Sequence, residues 1–96
     1  MNDGKKEKAL LVLARRDHAE AMRVAAGLTI FGHRVALVFM TGPVAETPEN
    51  AASAELLELT GIEPQTTVEA MADQLPFLDA GGLAHALGAS DAVLSI

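Results

Sequence analysis

Three short stretches hold most of the side chains able to do chemistry: Arg15-Arg16-Asp17-His18, Thr41-Gly42-Pro43 and Thr67-Val68-Glu69. The first leads into a segment of helical periodicity, where free backbone N–H groups and the helix dipole favour an anion. Arg15 or Arg16 would add a fork of donors. The stretch has no glycine, so it is neither a dinucleotide fingerprint nor a phosphate-binding loop. Asp17, three residues before Glu20, has the form of a capping box, which would place a carboxylate where the anion would sit. Two readings follow, an anion site and a capped helix with solvated arginines, and the second is preferred. His18, in the first helical turn, reads as a neutral base or, more simply, as a surface residue. Thr41, Gly42 and Thr67 would shape the floor of a ligand pocket.

No catalytic residue is assigned. Thr41, Thr67, Ser90 and Ser95 are the candidate hydroxyls, but none lies in a Gly-x-Ser-x-Gly elbow and spacing supplies no base for them. His33 reads as a turn residue and His85 as a partly buried or interfacial imidazole. No two histidines are spaced i, i+4, and no metal site or cofactor is indicated. Cysteine is absent, which excludes disulfides, thiolate metal ligation, cysteine nucleophiles and persulfide chemistry by this chain.

These stretches need a scaffold, and the apolar pattern supplies one. Residues 8–14 and 35–40 are short runs of nearly unbroken apolarity, as expected of strands covered on both faces. Between them Met22, Ala25, Ala26, Thr29 and Ile30 recur at helical spacing, with Gly32 placed to end the helix. The small residues Ala25, Ala26 and Gly27 would bring this helix close to the sheet. Strand, helix and strand make a βαβ unit with a right-handed crossover. Further along, the pattern predicts a helix over 51–59 with Ala52, Leu56 and Leu59 inward, and a short strand at 66–68. A short helix over 69–75, a turn at 79–82, a helical turn or two at 83–87 and a last strand at 92–96 complete it. The expected fold is a single α/β domain over 1–96, three-layered, with a mostly parallel sheet of four to five strands and helices on both faces. Ligands of such sheets bind beyond the carboxyl ends of the strands.

Composition narrows the function further. The 96 residues are 50% hydrophobic but include only three aromatics, Phe31, Phe39 and Phe77. A formal charge of −6 argues against nucleic acid as a partner. All seven Lys and Arg residues lie in the first 34 residues with four acids, whereas residues 35–96 carry nine acids and no Lys or Arg. That acidic stretch serves either to solvate helices or to meet a partner with a basic face. No apolar run reaches the roughly 18 residues of a membrane span, and the polar start over residues 1–6 is unlike a signal peptide, so a cytoplasmic location is expected. A domain of this size buries only about 60–65% of its unfolded surface. Leu75-Pro76-Phe77-Leu78 is therefore expected to find cover in a subunit contact.

Several phrases resemble the DsrE/DsrF/DsrH-like family, which includes subunits of a bacterial sulfur-relay complex. They are Ala9-Leu10-Leu11-Val12-Leu13, the helix with Ala25-Ala26-Gly27-Leu28, the run from Gly32 to Met40, and the closing run from Leu83 to Leu94. The resemblance implies a flavodoxin-like α/β domain that assembles as a homo-oligomer, a dimer, trimer or hexamer. It also implies a sulfur-carrying cysteine where this chain has Thr67 or Val68, and in some members a second where it has Ser90. Without a thiol this chain is expected to act as a non-catalytic assembly or binding subunit, with a Cys-bearing relative as a possible partner. The alternative is a binder of a small anionic or nucleotide-like molecule, or an enzyme, using the strand-end pocket.

Overall fold

Six residues pair in register along the two most apolar runs of the chain. In the computed structural model, which describes residues 7–96, β1 (Ala9–Ala14) lies parallel to β2 (Arg34–Phe39), with Leu10 opposite Val35 and Leu13 opposite Val38. The polar start over residues 1–6 lies outside the described residues. Two shorter strands complete an all-parallel sheet of order β3-β2-β1-β4, with β3 at Gln65–Thr66 and β4 at Ala92–Ser95. The fold is α/β, with three α-helices among the described residues.

The strand order explains where the helices go. Crossovers of one hand put their helices on one face while the order advances, and on the other when it reverses. Accordingly α1 (His18–Ile30) and α2 (Pro48–Thr60) cover one face, where Val12, Ala14, Leu37 and Phe39 pack with Ala21, Met22, Ala25 and Leu57. The chain then returns past β2 and β1, and α3 (Ala80–Ala89) lies on the opposite face. There Leu11, Leu13 and Val38 meet Leu83 and Ala86. Neighbouring residues of β1 and β2 thus serve opposite cores, which is why these strands show no alternation. The second face is thinly covered, since no residue of α3 is buried.

Local chemistry sets the helix ends. Asp17 Oδ1 accepts from the Glu20 N–H at 3.0 Å, so α1 has its N-cap. The reciprocal half of the capping box is missing, because the Glu20 carboxylate is taken by Arg23 at 2.6 and 2.9 Å. At the other end the Gly32 N–H donates to Thr29 O and the His33 N–H to Leu28 O, with Gly32 at φ +98°. That pair of bonds is a Schellman motif, and the left-handed backbone is why glycine suits the position.

Several boundaries differ from expectation. α2 starts at Pro48, not 51, because Thr47 Oγ1 accepts from the Asn50 N–H at 3.1 Å and proline is at ease in a first turn. Its buried side chain is Leu57, while Leu59 is 85% exposed and Ala52 also faces solvent. α3 starts at Ala80 because Asp79 Oδ1 caps Gly82 at 2.7 Å, so the expected turn at 79–82 is the first turn of the helix. The expected helix over 69–75 is only a 3-10 turn, Glu69–Met71. On α1 the buried stripe stops at Ala26, leaving Ile30 70% exposed where the helix reaches the amino end of β2.

Gly27 is not needed for close approach to the sheet, since a Cβ there would meet nothing within 4 Å. Gly27→Ala should therefore stabilise the domain by about 0.5–1 kcal/mol through helix propensity alone. Urea denaturation checks it, and a loss of stability would mean that the space is filled.

Leu75 and Leu78, expected in a subunit contact, pack inside the domain against the first and second cores respectively. Backbone bonds hold this segment to the edge of β3: Thr66 N–H donates to Pro76 O at 3.0 Å and Leu78 N–H to Thr66 O at 2.7 Å. Of the four residues Leu75-Pro76-Phe77-Leu78, Pro76 and Phe77 stay exposed.

Candidate functional site

The carboxyl ends of β1, β2 and β3 gather all six residues singled out from sequence, but in two different settings. Thr41 Oγ1 donates to Arg15 O at 3.1 Å, which ties the exit of β2 to the exit of β1. Gly42 follows with φ +48°, a left-handed turn residue exposed to solvent. Thr67 lies beyond the end of β3, where its N–H donates to Phe39 O at 3.0 Å.

Strand order reverses between β1 and β4, so a ligand crevice is expected beside the β1–α1 turn. There the backbone of the turn is bonded to the chain itself. The N–H groups of Arg15 and Arg16 both donate to Ile96 O at 2.8 Å, and that of Asp17 reaches the same oxygen at 3.4 Å. The donors an anion would use are thus committed, and Asp17 adds a negative charge at the same place. The Arg15 and Arg16 side chains are exposed. His18 turns inward instead, edge-on to Phe39 with ring centroids 5.4 Å apart and planes at 80°. Its Nε2 is buried without a hydrogen-bond partner among the described residues.

Where space opens is one strand further across. A pocket of about 470 Å³ lies over the ends of β2 and β3, beneath α2. Phe39, Met22, Leu57 and Met71, all core residues, form its floor and inner wall. Val44 and Pro43 close it from the β2–α2 loop, Ile62 and Pro64 from the α2–β3 loop, and Leu75 from the segment after the 3-10 turn. Its polar lining is Glu46, Glu58 and Gln74. A neighbouring hollow of about 530 Å³ over the start of α2 is shallower and more open to solvent, and shares Val44, Glu46 and Ala54 with it.

One buried hydroxyl holds the inner wall in place. Thr66, fully buried, donates through Oγ1 to Phe39 O at 3.0 Å, with the Met71 sulfur at 3.5 Å. The same oxygen accepts from the Val68 N–H at 3.0 Å. Thr66 thereby joins the end of β2 to the turn that carries Met71.

None of the six predicted site residues lines this pocket, although Phe39 touches His18 on one side and the pocket on the other. The lining was missed because its members come from separate loops that carry no motif. Their signal was indirect: Val44, Ile62 and Leu75 are large apolar residues in loops, each within two residues of a proline. The arrangement offers an apolar cavity with hydrogen-bonding carboxylates at its lip. Among the described residues no group of three His, Asp or Glu could hold a metal ion, and no helix is long and apolar enough to cross a membrane. The chain matches no family model, no curated protein and no solved structure.

Proposed function

We propose that this domain binds a small, largely apolar molecule without covalent chemistry, in the pocket over β2 and β3. The observation that carries this reading is the cavity of about 470 Å³ walled by core side chains. It falls within the roughly 300–1,000 Å³ of small-molecule sites, which are mainly apolar with a few convergent polar groups. It also lies at the carboxyl end of β2, as ligand sites of α/β domains lie beyond the carboxyl ends of their strands. An anionic or nucleotide-like ligand suits it poorly, because the only charged groups on the lining are carboxylates.

Ala54 provides the test. It lies on α2 at the pocket mouth, exposed to solvent, so Ala54→Trp fills the opening without entering the core. With a neutral probe such as 4-phenylbutanol, the natural chain should gain stability on saturation, about 2.7 kcal/mol at a hundred times the dissociation constant. The variant should bind at least tenfold more weakly. Equal affinity in the two chains would refute the site.

A second reading, the assembly subunit implied by the sulfur-relay resemblance, draws on the other face. α3 carries no Asp, Glu, Lys or Arg and buries no residue, and β4 beside it is an open edge strand with Val93 43% exposed. Ala-Val-Leu-Ser lacks the charges and prolines that usually blunt an edge. An acidic chain that self-associates would do so through its uncharged surface. Light scattering at micromolar concentration should then give a mass above that of one chain, reduced to one chain by Val93→Lys. A monomer in the unsubstituted protein removes this reading.

A further inference from the structure

The pocket has a charge preference as well as a shape. Its three polar lining residues include two carboxylates, Glu46 and Glu58, and no base. Neither carboxylate is paired with a protein cation among the described residues, where the ion pairs are Arg23–Glu20 and Arg34–Glu7. The reason lies in the chain itself: the last Lys or Arg is Arg34, and every lining residue except Met22 comes after it. Among the described residues, Arg15 and Arg16 stand exposed at the carboxyl end of β1, outside the lining. Lys8 and Arg34 stand at the amino ends of β1 and β2, opposite the pocket, and Arg23 is held by Glu20 on α1.

From this we infer that the pocket takes an amphipathic cation, an ammonium group carried on an apolar body. The inference rests on the pocket reading above and adds the class of ligand. The apolar body lies against Phe39, Leu57, Met22 and Met71, and the ammonium stays at the lip, partly hydrated, within the field of Glu46 and Glu58. Each methylene buried in the floor should tighten binding about fourfold. The two exposed carboxylates should add about three- to tenfold for a positive head over a neutral one, an advantage that salt screens.

Three probes of matched body separate these contributions: 4-phenylbutylammonium, 4-phenylbutanol and 4-phenylbutyrate, titrated calorimetrically into the whole chain at low and high salt. The expected order is ammonium tightest, alcohol next and carboxylate weakest, with the spread narrowing at high salt. In the Glu46→Gln/Glu58→Gln double variant the ratio of ammonium to alcohol affinity should fall towards one. Glu7→Gln, at the amino end of β1 and away from the lining, should keep the ratio of the natural chain. Equal binding of ammonium and alcohol, or tighter binding of the carboxylate, overturns the charge preference while leaving the pocket in place. Failure of all three probes to bind overturns the pocket and the preference together.

Discussion

Leu37→Ala is expected to lower the unfolding free energy by about 4 kcal/mol, a large share of the roughly 5–15 kcal/mol typical of a domain. Leu37 is fully buried on the double-helix face, among Val12, Met22, Phe39 and Leu57. Sheet and helices hold that cavity open from both sides, because Ala21 and Ala25 already bring α1 down to full burial. Leu11→Ala supplies the contrast. Leu11 is equally buried, but on the face under α3, a helix with no buried residue and room to settle inward. Its removal should cost about 2–3 kcal/mol, since the loss depends on how far the site collapses. Urea denaturation with an unchanged slope measures both. If Leu11→Ala costs as much as Leu37→Ala, the two faces are equally rigid and the asymmetry described above is wrong.

Thr66→Val is the second large effect. The change keeps the volume but removes the hydroxyl that accepts from Val68 N–H and donates to Phe39 O. Phe39 O retains the bond from Thr67 N–H, so the stranded group is the Val68 N–H. A cost of about 2 kcal/mol is expected. The Glu69–Met71 turn would loosen with it, so the pocket should lose affinity for 4-phenylbutanol by several-fold. Thr66→Ser, which restores the hydroxyl, should recover binding. A Thr66→Val chain as stable as the natural one would show that this hydroxyl does not hold the turn.

How much could be read in advance differs between elements. β1, α1 and β2 were legible because each carries its own signal: unbroken apolarity, a cap at Asp17 and a stop at Gly32. α2 shows the limit. Thr47 and Pro48 are good starting signals, but a proline in a polar stretch reads as readily as a loop. The inward face was misassigned by a rotation that brings Leu57 inside and Leu59 out. Similarly, Gly81-Gly82 reads as a turn until the Asp79 cap is seen. A Cβ on Gly82 would come within 2.8 Å of Leu78 Cδ1, so the glycine there also makes room for packing between the approach segment and α3. The candidate residues of the β1–α1 turn were correctly placed at the strand ends. What no local pattern could reveal is that Ile96 O, about eighty residues away, accepts from the N–H groups of that turn.

The two unbroken apolar runs, the absence of thiol chemistry and the confinement of every Lys and Arg to the first 34 residues follow from the order of amino acids alone. They do so because each depends on a residue's own type or on neighbours within a few positions. The reversal of strand order at β1, the rotation of α2 and the pocket of Phe39, Leu57, Met71 and Leu75 were decided only when the chain packed. Burial preference says that a side chain leaves water, but not which distant surface receives it. That choice belongs to the contacts between elements, and the space left between them became the candidate site.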